Sequence, residues 1–213
     1  MGRRAARGSE RPAAREVPPA APAVRAVAVY PVSMAIRFYV GHGASGSAAS
    51  MAGHVRGLVA RGIDARAIDL PVKKAEAAVP VFRTIVPDGP AASGADGHAI
   101  AVGGQSYGGR VASLAAAEPD TDYAALVLFS FPLHPPGGPG KAAERTAHFP
   151  AIRCPCLFLS GEADPFARLD LLREQVAILR EAELVTYPRL GHTLKPVLED
   201  ALDRAAAFLL ARG

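Results

Sequence analysis

The sequence predicts an open, doubly wound α/β domain, a mostly parallel sheet with helices on both faces, and three observations carry that prediction. Short apolar, β-rich runs alternate with Ala- and Leu-rich stretches of helical period. Some of the runs, such as Ala-Leu-Val-Leu-Phe at 125–129, are apolar without interruption, the pattern of a strand buried on both faces in a parallel sheet. Strand–helix alternation then requires crossover helices that cover the sheet from above and below.

Taken in order, residues 1–23 are rich in Arg, Pro and Ala without a period and read as a disordered basic arm. Residues 24–213 read as one domain. Its expected strands are 24–30, 36–41, 64–70, 98–103, 124–131, 155–160 and 184–187, each an apolar or β-branched run ended by glycine, proline or a polar cluster. Between them, helical patterns cover 48–61, 74–85, 108–118, 166–181 and 194–210. The segment 132–150, with Pro-Pro-Gly-Gly-Pro-Gly at 135–140, reads as an irregular insert too short to form a separate cap domain. In such sheets ligands bind at the carboxyl ends of the strands, so the loops after 41, 70, 103, 131, 160 and 187 are the places to look for a site.

Composition narrows the function classes. The chain has 213 residues with a formal net charge of +4, a balance that on its own suggests a polyanionic partner. Residues 1–30, however, hold six Arg and two Glu, leaving 18 basic and 18 acidic side chains in 31–213. The excess therefore belongs to the arm, and a specific nucleic-acid face on the fold is not expected. No apolar run approaches the roughly 18–20 residues of a membrane span, and no secretory h-region is present. Cys154 and Cys156 have one residue between them, a poor geometry for a mutual disulfide, which points to a reducing, cytoplasmic setting.

Two glycine motifs argue for different chemistry. Gly41-His42-Gly43-Ala44-Ser45-Gly46 follows a strand and matches G-x-G-x-x-G, and Asp69 closes the next strand, as in a nicotinamide-dependent oxidoreductase. Gly103-Gly104-Gln105-Ser106-Tyr107-Gly108-Gly109-Arg110 contains G-x-S-x-G, the turn in which a nucleophilic serine needs residues without bulk two before and two after it. The second motif has company. Asp164 follows the strand 155–160 and His192 follows 184–187, so Ser, Asp and His arrive in chain order on strand-end loops. Glu162 is a rival for the acid.

The chain resembles α/β-hydrolases, in particular the short, lidless branch grouped with dienelactone hydrolase-like proteins. That branch includes the hydrolase-like domain of an NSL histone acetyltransferase complex subunit. The correspondence runs from about residue 36 to the C-terminus: His-Gly-Ala at 42–44, the elbow at 103–110, Phe-Pro-Leu-His-Pro-Pro-Gly at 131–137, Leu-Phe-Leu-Ser-Gly-Glu-Ala-Asp-Pro-Phe at 157–166 and Gly-His at 191–192. The resemblance implies the α/β-hydrolase fold without a large cap, with 41–46 as an oxyanion loop. It makes Ser106 the nucleophile, His192 the general base and later acid, and Asp164 the group orienting the imidazole. The backbone N–H groups of Ala44 and Tyr107 would form the oxyanion hole. Dienelactone hydrolases proper use a cysteine nucleophile; Ser106 here points instead to ester-type acyl transfer.

The expectation is a carboxylesterase-like serine hydrolase acting on a small-molecule acyl substrate, needing no cofactor and no metal, since no zinc-type Cys/His spacing and no H-E-x-x-H occurs. A catalytically silent interaction module on the same fold and the oxidoreductase are the alternatives. Leu133 and His134 are expected at the substrate pocket, His134 with a competing structural role among its prolines. Tyr107 reads equally as pocket wall or core aromatic. His42 is expected to hold the oxyanion loop by hydrogen bonds, and the two cysteines to pack at a strand start.

Overall fold

A computed structural model of the protein describes residues 35–87 and 97–213. The expected arm 1–23 and strand 24–30 lie outside the described residues. Among the described residues, six parallel strands form one sheet in the order β2-β1-β3-β4-β5-β6: β1 (Ile36–Gly41), β2 (Asp64–Ile68), β3 (Ala99–Gln105), β4 (Ala125–Phe129), β5 (Cys156–Gly161) and β6 (Ala182–Tyr187). The helices are α1 (Ala52–Val59), α2 (Ala75–Ile85), α3 (Tyr107–Ala116), α4 (Ala142–Thr146), α5 (Leu169–Val176) and α6 (Leu198–Leu210). Among the described residues, no helix is long and apolar enough to cross a membrane.

Alternate residues along each strand sort into two cores, because successive side chains leave a strand on opposite faces. Phe38, Val40, Ala101, Val127, Phe129, Leu157 and Leu159 pack with Leu58 of α1 and Leu202, Ala205 and Leu209 of α6. Tyr39, Val102, Leu126, Leu128 and Phe158 pack on the other face with Phe82 of α2, Val111 and Ala115 of α3, and Leu172 of α5. The central β4 is buried along its whole length, which accounts for its unbroken apolar run.

Several boundaries differ from expectation for local reasons. The expected helix 48–61 divides into a 3-10 turn, Ala48–Met51, and α1. The expected helix 194–210 likewise divides, with Pro196 in the 3-10 turn Lys195–Val197 ahead of α6. The helix expected at 166–181 is only Leu169–Val176: the side chain of Asp164 takes the N–H of Phe166, and Arg168 is extended at φ −58°, ψ 125°. The segment 132–150, expected to be irregular, holds the 3-10 turns Pro139–Lys141 and Phe149–Ala151 as well as α4. Cys156 is buried at the start of β5, where its thiol donates to the carbonyl of Cys154.

Because β1 connects to β2 on one side and β3 to β4 on the other, the chain reverses direction across the sheet between β1 and β3. That reversal opens a crevice at their carboxyl ends. There the register sets Gly41 against Gly104. A Cβ on Gly104 would lie 2.6 Å from the carbonyl oxygen of Gly41, and one on Gly108 2.7 Å from that of His42. Hence α3 can start against β1 only because these positions carry no side chain. Gly108→Ala is expected to lower stability by about 1–3 kcal/mol through overpacking, read as an earlier denaturant midpoint.

His54 lies edge-on to Phe129, with ring centroids 5.1 Å apart, and burial lowers its pKa from 6.5 to about 4. The folded state then resists a proton that the unfolded chain accepts near pH 6.5, so stability is lost as pH falls from 6.5 towards 4. At pH 5 the loss from this one group is about 2 kcal/mol. His54→Leu should flatten the fall of Tm between pH 7 and 5; an unchanged pH profile would contradict the assignment.

Candidate active site

Ser106 stands between β3 and α3 at φ 50°, ψ −111°, a conformation that costs a non-glycine residue about 1–3 kcal/mol. Its surroundings hold it there. The N–H of Ser106 donates to Phe129 O at 2.9 Å, its carbonyl accepts from Arg110 N at 3.0 Å, and Gly108 N donates to His42 O at 2.9 Å. The result is a serine hydroxyl lifted out of the sheet at the start of a helix.

Two other strand ends meet it. His192 Nε2 lies 2.8 Å from Ser106 Oγ, and His192 Nδ1 lies 2.8 Å from Asp164 Oδ2. A carboxylate only accepts, so Nδ1 carries the proton and Nε2 of the neutral ring is left to accept from the serine hydroxyl. The Asp164 side chain is fully buried, and its second oxygen accepts from Phe166 N at 2.8 Å. Glu162 points elsewhere, accepting from Thr186 Oγ1 at 2.9 Å, so Asp164 is the acid that touches the imidazole. The loop bearing His192 crosses close over β5 because Gly161 lacks a Cβ, which would meet the carbonyl oxygens of Leu190 and Gly191. Ala163 N donates to Leu190 O at 2.8 Å and closes the crossing.

Ala44 and Tyr107 border the same cleft as Ser106, a cavity of about 840 Å³. Tyr107 opens α3, so its N–H is one of the first-turn donors that have no acceptor within the helix. Its ring is half-buried, lines the cleft, and donates its hydroxyl to Pro71 O at 2.6 Å, so both readings of Tyr107 hold in part. The glycine loop 41–46 is tied down by His42, whose Nδ1 meets Gly43 O at 2.7 Å and whose Nε2 accepts from Leu70 N at 3.0 Å. Asp69, the residue a ribose would need, accepts from Ala48 N at 2.6 Å at the start of the following turn.

The expected pocket residues are corrected. Leu133 is fully buried in the core that also holds Ala142 of α4 and Leu172 of α5, and Pro132, Pro135 and Pro136 line the cleft. His134 is buried as well: its Nδ1 meets Pro135 O at 2.9 Å and its Nε2 accepts from Arg168 N at 3.0 Å, which staples the loop after β4 to the loop after β5. Sequence reasoning missed Phe166, whose ring lies 4.4 Å from that of His192 and lines the cleft. It also missed Arg110 and Arg145 on the wall. The position of Arg110, one helical turn after Ser106, was the available signal. Among the described residues, no group of three or more His, Cys, Asp or Glu side chains could hold a metal ion.

A family model for the alpha/beta hydrolase domain matches residues 38–209. No curated protein sequence matches the chain. Solved structures with a similar fold include the monoacylglycerol lipase of Paleococcus ferrophilus, at 14% identity and TM-score 0.67 over 83% of this chain and 95% of that one. Esterase 2 of Thermogutta terrifontis, phosphorylated by paraoxon, is 20% identical with TM-score 0.67 over 88% and 86% of the two chains. Est1E of Butyrivibrio proteoclasticus with bound ferulic acid is 16% identical with TM-score 0.64 over 84% and 90%.

The contact between His192 and Asp164 is open to a spectroscopic test. A low-field proton resonance from His192 Nδ1–H is expected in the unmodified protein, lost in Asp164→Asn and retained in Glu162→Gln. The reverse pattern would transfer the role to Glu162.

Proposed function

Because the chain belongs to the alpha/beta hydrolase family, we propose that it is a serine hydrolase that cleaves small acyl esters, with Ser106 as nucleophile, His192 as base and acid, and Asp164 holding the imidazole. The supporting observation is the unbroken hydrogen-bonded series Asp164–His192–Ser106, opening on the cleft of about 840 Å³. The motif at 131–137 supports a reading of the chain as a member of the short, lidless dienelactone hydrolase-like branch.

In this reading the Ser106 hydroxyl passes its proton to His192 Nε2 as Oγ attacks the ester carbonyl. The buried Asp164 carboxylate stabilises the imidazolium that forms. The carbonyl oxygen, now negative, is met by the N–H groups of Tyr107 and Ala44, each contributing about 3–4 kcal/mol to the transition state. Collapse expels the alcohol, protonated by His192, and leaves an acyl-Ser106. Water, deprotonated by the same imidazole, attacks that ester and releases the acid. Phe166, against the ring of His192, limits the orientations open to the imidazole between these two transfers.

The test is steady-state hydrolysis of p-nitrophenyl butyrate. Turnover is expected in the unmodified protein, with kcat reduced at least about 10³-fold in Ser106→Ala and in His192→Ala, and about 10²–10⁴-fold in Asp164→Asn. Failure of the unmodified protein to hydrolyse any short p-nitrophenyl ester would overturn the proposal.

A further inference from the structure

Six charged side chains line the cleft beside Ser106: Lys73, Lys74, Arg110 and Arg145, with Glu76 and Glu144. The two carboxylates are already satisfied. Glu76 accepts from Arg110 Nη2 at 2.6 Å and Glu144 from Lys141 at 2.8 Å. Among the described residues, no carboxylate lies within ion-pair distance of Lys73, Lys74 or Arg145, whereas both wall carboxylates are held in direct ion pairs; Glu76 and Glu144 act on Arg145 only at longer range.

Arg145 is the most telling of the three. It is half-buried, and among the described residues one of its five N–H donors is used, Nη1 donating to Pro132 O at 3.2 Å. Arg110 comes close enough to donate its Nη1 to the Arg145 carbonyl at 2.8 Å. Burial and the like charge of Arg110 lower the pKa of Arg145 from its ordinary value, against the opposing pull of Glu76 and Glu144. A guanidinium partly removed from water beside another cation gains from an anion in direct contact, which neither Glu76 nor Glu144 supplies here. Its planar fork suits a carboxylate or a phosphate-type group, which it can bind through two parallel hydrogen bonds.

We propose that the substrate of this site is an ester carrying a second, anionic group, bound by Arg145 with Lys73 and Lys74 while Ser106 faces the ester carbonyl. Arg145 is then the residue that selects acidic esters over neutral ones. The assignment rests on the hydrolase reading for its chemistry, although the binding itself does not require turnover.

Two arms test it. In the first, kcat/KM is measured for p-nitrophenyl hemiglutarate and for neutral p-nitrophenyl valerate. The acidic ester is expected to be favoured at least about tenfold at low salt, and the ratio should shrink as ionic strength rises. Arg145→Met should collapse the ratio, chiefly through KM for the acidic ester. Arg145→Lys should restore part of it, and Arg204→Met, on α6 and outside the cleft lining, should leave it in place. In the second arm, the Ser106→Ala protein is titrated calorimetrically with monomethyl glutarate, methyl 3-phosphonopropionate and methyl valerate. At least one of the anionic esters should bind about tenfold more tightly than the neutral one, the tighter of the two identifying the preferred group, and Arg145→Met should abolish the difference. If neither p-nitrophenyl ester is hydrolysed, the hydrolase reading fails while the titration still decides the binding claim. Equal affinity for all three ligands, or a preference untouched by Arg145→Met, would overturn the inference.

Discussion

Everything at the candidate site depends on one steric constraint, the backbone contact of Gly41, Gly104 and Gly108. With no side chains between them, the start of α3 lies directly against the end of β1, and the chain leaving β3 must turn within a single residue. That residue is Ser106, left at φ 50°. The strain is supported by hydrogen bonds to Phe129, Arg110 and the neighbouring glycine loop and by the buried sheet beneath, so the serine is presented in one orientation. A larger residue at any of the three positions would separate helix from strand and relax the turn.

The rest of the site is a matter of bringing distant strand ends to that serine. Asp164 comes from the end of β5 and His192 from beyond β6, and Gly161 allows the second loop to cross the first. Two further histidines act as staples. His42 joins the loop after β1 to Leu70, and His134 joins the loop after β4 to Arg168, each using one ring nitrogen towards a neighbouring carbonyl and the other towards a backbone N–H. The loops that carry Ala44, Pro132 and Phe166 are thereby fixed relative to Ser106, and the Asp164 side chain is kept wholly away from water. A carboxylate in that setting interacts strongly with an adjacent positive imidazole, because little solvent is present to screen it.

Much of this was legible in the chain. The order of strands and helices over the described residues followed from alternation and from unbroken apolar runs, and Ser106, Asp164 and His192 could be singled out because strand-end loops in a parallel sheet face one edge. What could not be read was depth. Leu133 and His134 sit on a loop after a strand, as a pocket residue would, yet the loop folds inward and buries both. Asp69 has the spacing of a ribose ligand, but the turn that starts at Ala48 brings a backbone N–H to it first. The helix expected from 166 starts only at 169 because a hydrogen bond from Phe166 N–H to the Asp164 carboxylate holds the chain before it, a competition between local bonding and helix that periodicity does not register. The charged wall of the cleft was invisible for a related reason: Lys73, Arg110 and Arg145 lie far apart in sequence, and only the packing of α2, α3 and α4 brings them to one surface.

The central claim is that the strained serine is a nucleophile activated by His192. Its most direct measurement is covalent labelling with a fluorophosphonate, followed by intact-mass and peptide mass spectrometry. One adduct per chain on Ser106, formed rapidly in the unmodified protein and greatly slowed in His192→Ala, is the predicted result. An unlabelled protein, or an adduct on another residue with Ser106 unmodified, would contradict it.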